Sequence, residues 1–125
     1  MINIGKAIYT LLSSNTSLTN IVSANKIQPL VLAENTILPA IVYERNFTTE
    51  GNKDSYTSTN TIDITTLSNY YDESINIALL IEDILSGYEG TASGINIINS
   101  RLIAGDETIV EDVFLQKLTF SIKSI

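Results

Sequence analysis

The chain of 125 residues contains no cysteine and no histidine. Without cysteine there is no disulfide and no thiolate nucleophile, so cysteine usage says nothing about the redox compartment. Without histidine, the commonest general base and the commonest transition-metal ligand are both missing. Glycine and proline together occupy only 8 positions, too few for a collagen-like or low-complexity chain. The usual histidine- and cysteine-based catalytic sites are therefore excluded.

Basic residues and long apolar runs are also scarce. Lys and Arg number 7 against 14 Asp and Glu, which gives a formal charge of −7 and a pI of about 4.3. Such a chain repels phosphate backbones, so we expect neither sequence-independent nucleic-acid binding nor attachment to anionic membranes. The longest wholly apolar run is Ile77 to Ile81, and a spanning helix needs about 20 residues. The N-terminus lacks the order of a signal peptide, so we expect a soluble protein of the cell interior.

The composition is that of a globular protein. Hydrophobic residues make up 44% and charged residues 17% of the chain. We find no repeat and no linker, and a chain of this size fits one domain. We therefore expect a single domain over residues 1–125.

Three stretches have helical periodicity. Residues 3–13 place Ile4, Ile8, Leu11 and Leu12 on one face, and a second short helix carries Leu18, Ile21 and Val22. A longer central helix is expected to begin after Ser68 or Asn69 and to stop before Gly87. Its predicted buried stripe is Tyr70, Ile77, Leu80, Ile81, Ile84 and Leu85. Ile75 and Leu79 depart from this pattern, because they fall on the polar side.

The remaining apolar stretches are typical of strands. Residues 26–32 contain Pro29 and predict an edge strand or extended arm, and further strands are expected at 38–47, 57–67, 95–104 and 113–123. The alternation puts Phe47 on one face with Ile41 and Tyr43. It also puts Ile103 on one face with Ile95 and Ile97, and Leu102 on the other. Residues 48–56 and 105–112 read as polar and acidic connections. The fold class is α+β, with a mainly antiparallel sheet of four to five strands packed against two N-terminal helices and one long central helix.

The sequence contains few signs of a catalytic or ligand-binding site. No phosphate-binding loop occurs, and the adjacent acidic pairs lack the alternating ligands and central glycine of a calcium loop. Asp63 lies in mid-strand, where we expect it to pair across the sheet with Arg45 or Lys117. No second carboxylate stands at a predictable distance for catalysis. We therefore expect no enzyme activity, no cofactor and no metal site.

Several short segments of the sequence resemble those of one protein family. They are Ala7-Ile8-Tyr9-Thr10-Leu11-Leu12, then Leu18-Thr19-Asn20-Ile21-Val22, then Leu38-Pro39-Ala40-Ile41-Val42-Tyr43-Glu44-Arg45, a Thr-rich second strand, the helix Ala78 to Gly87, and the closing Leu118-Thr119-Phe120-Ser121-Ile122. In this order they resemble the small tail completion, or tail terminator, proteins of long-tailed bacteriophages and prophages. The resemblance covers nearly the whole chain. Its motifs are patterns of apolar residues with one Leu-Pro-Ala phrase, and the high Asn, Ile and Thr content departs from the family pattern.

The resemblance implies a structural virion protein. Such a protein forms a ring, commonly a homohexamer, at the head-proximal end of the tail, ends polymerisation of the tail tube and joins the tail to the head connector. The implied partners are further copies of the chain, the tail tube protein and a connector or stopper protein, with no membrane and no sequence-specific nucleic acid, although DNA passes through such a ring. The implied location is the head–tail interface of the virion, and the host cytoplasm during assembly.

A closed ring repeats one contact between two different faces of each subunit. The candidate interface residues are Ile27, Leu30 and Leu32 in the arm and Ile75 and Leu79 on the central helix. Alternatively, the central helix is covered on both sides within the monomer. The candidate contacts with the tube or connector are Phe47, Glu50, Lys53, Asp54 and Tyr56, in a long hairpin tip that is equally well explained as a polar loop. Two other classes stay open: an adaptor of another tail-like machine, such as a contractile injection system, and a small-ligand-binding α+β domain.

Overall fold

The computed structural model describes residues 2–50 and 56–125, which form an α+β fold. Two N-terminal helices, α1 (Ile4–Ser13) and α2 (Thr16–Thr19), and a 3-10 turn at Ala24–Lys26 precede three strands. These are β1 (Ile27–Pro29), β2 (Ala40–Glu50) and β3 (Ser58–Ser68). The central helix α3 (Tyr71–Leu85) is followed by β4 (Gly90–Ala92), β5 (Ile95–Val110) and β6 (Val113–Ser124).

The strands form one mixed sheet in the order β1-β2-β3-β6-β5-β4. β3 and β6 lie at its centre and pair antiparallel without interruption from Ser58↔Ser124 to Ser68↔Phe114. β1 runs parallel to β2 at one edge, while β4 pairs only with Ile95–Ile97 of β5 at the other. Beyond these short edge strands, the distal part of β5 is itself the edge of the sheet.

The helices cover one face of the sheet, and the hydrophobic core lies between the helices and this face. Alternate residues of β3, from Ser58 through Ile62 and Ile64 to Ser68, are buried on this face. The apolar side chains of this core come from all three helices and from strands β2, β5 and β6 as well as β3. They include Ile4, Ile8, Leu12, Leu18, Ile41, Ile77, Ile81, Leu85, Ile97, Phe120 and Ile122. Among the described residues no helix lies on the opposite face of the sheet, where the β1–β2 connection places Leu32 and Leu38 beside Leu67 and Leu115.

Ser68 organises the start of α3, although it is not the N-cap residue. Its hydroxyl accepts a hydrogen bond from the backbone N–H of Tyr70 at 3.0 Å and donates one to the Glu73 carboxylate at 2.6 Å. Glu73 and Asp72 also lie in the first turn, where carboxylates are favoured by the helix dipole. The helix ends at Leu85, and Gly87 follows in the left-handed region at φ 78°.

The predicted fold class is confirmed, but the sheet is larger and mixed. It has six strands, because the predicted loop near residue 90 contains β4. The predicted edge strand is the three-residue β1, which is parallel to its neighbour. The predicted acidic connection at 105–112 is wrong, since β5 continues to Val110 and only Glu111 and Asp112 form the turn.

β-bulges in β2 and β5 correct the predicted strand faces. An irregularity between Arg45 and Phe47 moves Phe47 to the helix-free face, where it is 59% exposed, instead of the face shared with Ile41 and Tyr43. Two irregularities interrupt the alternation of β5, one between Ile97 and Asn99 and one between Leu102 and Ala104, so Leu102 packs against the core and Ile103 is exposed. One extra residue reverses every side chain that follows it, which simple alternation does not reveal.

The buried stripe of α3 is mostly as predicted. Ile77, Ile81 and Leu85 are buried, and Leu80 and Ile84 pack against the core at its margin. Tyr70 is the exception, because it precedes the first helical residue in an extended conformation and its side chain is exposed.

Substitutions on the two faces of α3 should change the stability of the protein by different amounts. Ile81→Ala removes a fully buried side chain and should lower the free energy of unfolding by about 2–5 kcal/mol. Leu79→Ala, two residues earlier, removes a side chain that is 54% exposed and should change it by about 0.5 kcal/mol or less in the monomer. Urea unfolding of the monomeric protein measures both. Equal losses would contradict this assignment of the faces.

Candidate functional site

The distal parts of β5 and β6 form a long hairpin, which ends in a tight two-residue turn. Glu111 and Asp112 both have positive φ, at 51° and 65°. A two-residue turn with positive φ at both positions favours Asn, Asp and Gly, whereas Glu111 carries a left-handed cost of about 1–2 kcal/mol. Asp106 and Glu107 lie nearby on β5, so the end of the hairpin is acidic. Ile109 and Val110 stand exposed between these carboxylates.

A polar clasp holds this hairpin against the start of α3. The Tyr71 hydroxyl donates to Glu107 and lies 3.2 and 3.0 Å from its two carboxylate oxygens, and the Gln116 amide donates to the same carboxylate at 2.9 Å. Gln116 also lies 3.3 Å from the Ser74 hydroxyl, and the Tyr71 ring packs edge-on against Phe114 with centroids 5.6 Å apart. The hydrogen bonds from Gln116 and Tyr71 lower the pKa of Glu107, and the same contact raises the pKa of Tyr71.

An apolar surface lies beside this clasp. We define the α3 stripe as Tyr71, Ile75 and Leu79, which are spaced by four residues and share one face of the helix, together with Ile109 and Phe114 of the hairpin. Tyr71, Leu79 and Ile109 are exposed, and Ile75 is half-buried. A shallow groove of about 220 Å³ is lined by Tyr71, Ile109 and Phe114. Within residues 2–50 and 56–125, Tyr71, Leu79 and Ile109 of this surface are therefore left exposed.

A second exposed apolar surface lies at the opposite edge of the sheet. We define the arm tip as Leu30 and Val31, which follow β1 and are 66% and 74% exposed. Leu30 is in the left-handed region at φ 68°, and its backbone N–H donates to the Tyr43 carbonyl at 2.9 Å. A left-handed leucine is disfavoured, so this apolar side chain is presented at some cost in backbone energy.

Asp63 is bound on the helix-free face. Its carboxylate accepts hydrogen bonds from the Thr119 hydroxyl at 2.6 Å and the Asn46 amide at 2.7 Å, and lies 3.4 Å from Lys117 Nζ. The predicted cross-strand pairing with Lys117 is thus confirmed, whereas Arg45 donates to Thr48. Burial alone raises the pKa of Asp63, but the two hydrogen bonds and the charge of Lys117 outweigh it and hold the pKa below its ordinary value.

The predicted interface residues differ in their solvent exposure. Ile27 is 2% exposed in the chain's own core, so its side chain is not available to another subunit, which corrects that prediction. Leu30 is exposed, while Leu32 is half-buried beside Val110 and Leu115 in a groove of about 400 Å³. Leu79 is exposed on the single chain, so the alternative that the monomer covers this side of the helix does not hold for Leu79. Contact of Leu30, Leu32, Ile75 and Leu79 with a neighbouring subunit stays a prediction.

The predicted tube contacts that the structure describes lie in the last part of β2 and just before β3. Phe47 is on the helix-free face, Glu50 ends β2, and Tyr56 is 78% exposed just before β3. Lys53 and Asp54 lie outside the described residues. Sequence reasoning missed the distal hairpin, although the β-branched run Thr108-Ile109-Val110 was a signal for a strand.

Neither a metal cluster nor a membrane helix emerges from the part of the chain that the structure describes. Residues 2–50 and 56–125 include no group of three or more acidic side chains arranged to hold a metal ion. Over the same ranges, each helix is too short or too polar to traverse a bilayer.

Comparison with known proteins identifies the fold. No protein-family model matches the chain, and no curated protein is similar to it in sequence. Among solved structures, the chain is similar to a component of the virion of a native gene transfer agent particle, with a TM-score of 0.74. The match covers 94% of this chain and 91% of that chain, at 14% sequence identity. The two chains therefore share a fold over nearly their whole length.

The Asp63 contacts predict a pH-dependent stability. A carboxylate whose pKa is lowered on folding stabilises the protein above its unfolded pKa, here 3.8, and this contribution is lost as the pH falls through the lower folded value. Asp63→Asn should therefore reduce stability by about 1–3 kcal/mol at pH 7 and by much less near pH 2. Urea unfolding across this pH range measures the difference. An equal loss of stability at pH 7 and near pH 2 would contradict this interpretation.

The clasp predicts local protection of the hairpin. Tyr71→Phe removes the hydroxyl that binds Glu107 but keeps the ring against Phe114. Amide hydrogens of residues 104–117 should exchange faster in this variant, while the core of β3 keeps its protection. Tyr70→Phe is the matched control, because its exposed neighbouring ring lies outside the clasp. Exchange unchanged in Tyr71→Phe, or equally accelerated in both, would contradict this role.

Proposed function

We propose that the protein is a structural component of a phage-like virion that acts as a tail terminator. In this role it forms a ring at the head-proximal end of the tail, ends polymerisation of the tail tube and joins the tail to the head connector. The observation that carries the proposal is the fold shared with a component of a gene transfer agent virion, which extends over 94% of this chain. The resemblance of the sequence phrases to tail terminators agrees with it.

The surfaces of the chain suit a closed ring. A ring repeats one contact between two different faces of the subunit. The α3 stripe lies towards the β5 edge of the sheet and the arm tip lies at the β1 edge, so the two apolar surfaces differ in composition and position. Exposed apolar surfaces of this kind mark interaction sites in soluble proteins.

The expected partners follow from this role. We propose a homohexamer that binds the tail tube protein on one side and a connector or stopper protein on the other, at the head–tail interface. Phe47, Glu50 and Tyr56 near the β2–β3 connection remain candidate contacts for the tube or connector. With a charge of −7 per chain, the ring would repel the DNA that passes through it and would not hold its phosphates. We also propose that the protein has no enzyme activity and no cofactor, because it lacks the residues of the common catalytic sites.

The oligomeric mass tests this proposal. Six chains of 13.7 kDa give a ring of about 82 kDa, which light scattering coupled to size exclusion separates from a monomer. We expect this mass, alone or after addition of assembled tail tubes, and we expect rings at tube ends by electron microscopy. Addition of the protein during tube assembly should also stop elongation.

A monomer that neither assembles nor binds tubes would contradict the proposal. Leu79→Asp provides a second measurement, because its exposed side chain lets the monomer fold while a charge enters the expected contact. Loss of the ring with retained folding is the expected result. Glu89→Gln is the control, since it changes an exposed polar side chain outside the α3 stripe without removing apolar surface.

A further inference from the structure

The α3 stripe has an acidic border. Helix α3 contains four carboxylates and no basic residue, and Asp72 and Asp83 are exposed at its two ends. Glu107 of the hairpin borders the same surface on the other side. An occupant of this surface must therefore present apolar side chains together with positive charge.

The arm tip of this chain has that chemistry. Leu30 and Val31 supply exposed apolar side chains, and Leu30 shares a shallow cleft with Arg45. Lys26 directly precedes β1 on the same edge and lines a second cleft together with Glu34. The carboxylate of Glu44 also lines the cleft of Leu30, but Arg45 is the more exposed of the two. Helix α3 has carboxylates and no basic residue, whereas the exposed Arg45 stands beside the arm tip, so Arg45 can supply the positive charge that the α3 stripe lacks.

The strand order places these two surfaces near opposite edges of the sheet in one chain. The arm tip follows β1, at one end of the order β1-β2-β3-β6-β5-β4, whereas the hairpin edge of the α3 stripe belongs to β5 near the other end. Two complementary surfaces at opposite edges favour a head-to-tail contact between copies.

We propose that the arm tip of one copy docks on the α3 stripe of the next copy. This inference rests on the proposed ring and names the contact that closes it. Leu30 and Val31 pack against Tyr71, Ile75 and Leu79, while Arg45 and Lys26 approach the carboxylates that border the stripe. The backbone cost of a left-handed Leu30 is then repaid by the contact that it makes with the neighbouring subunit.

Chemical cross-linking tests the contact directly, because the natural chain has no cysteine to interfere. Leu30→Cys and Leu79→Cys are made separately and together, and each is treated with a short bismaleimide linker. The double variant should give a ladder of covalent oligomers that ends at the ring. A mixture of the two single variants should give dimers only, and either single variant alone should give none.

A second variant separates the contact from folding. Leu30→Gly suits the positive φ, so it should leave the monomer at least as stable as the natural protein while it raises the dissociation constant of the ring by about tenfold or more. Tyr56→Gly is the matched control, because Tyr56 is also exposed and left-handed, at φ 52°, but lies away from both surfaces. It should leave ring assembly unchanged.

The outcomes distinguish this inference from the proposed function. A natural protein that forms no ring contradicts the proposed function. If the ring forms but the double variant gives no ladder, or Leu30→Gly assembles normally, the docking proposal is wrong and the ring stands. Links formed by Leu30→Cys alone would show a symmetric contact between arm tips, and links formed by Leu79→Cys alone would show one between helices. Either result overturns the head-to-tail arrangement.

Discussion

The structure depends on the uninterrupted pairing of β3 with β6. Eleven residues of each strand are in register, from Ser58↔Ser124 to Ser68↔Phe114, although more than forty residues separate even the nearest pair along the chain. This ladder sets which side chains face the helices, and it gives α1 and α3 one continuous apolar surface to cover. β2 and β5 then add to its two sides, so both edges of the sheet are positioned by the same central register.

The bulges and turns in the outer strands bring the exposed surfaces into place. The bulges at Asn46 in β2 and at Ile98 and Ile103 in β5 change which face the following side chains occupy, and the tight turn at Glu111 and Asp112 lets β5 and β6 pair as far as Val110↔Val113. Leu30 and Glu111 occupy left-handed backbone positions that their residue types disfavour. Such positions persist where the surrounding structure demands them, and here they present apolar and acidic side chains to the outside.

The proposed function is therefore a property of surfaces. The α3 stripe and the arm tip are exposed, differ in chemistry and lie near opposite edges of one sheet, which is the arrangement that a repeated head-to-tail contact requires. The clasp of Tyr71, Glu107 and Gln116 contributes by keeping the hairpin beside α3, so that one apolar surface extends over both elements. The shared fold with a virion component supports a role in assembly.

The sequence by itself determined the α+β class, the helices and the central strands, because their apolar periodicities are regular and each burial decision is local. Ile77 and Ile81 follow the helical period, and Ile62 and Ile64 the strand period, and all four are buried. The sequence also showed that Ile75 and Leu79 depart from the helical pattern. Only the tertiary structure decided the faces of Phe47, Leu102 and Ile103, the length of the β5–β6 hairpin and the burial of Ile27. These depend on bulges, on pairing with distant strands and on packing against α1 and α2, none of which leaves a regular period in the chain.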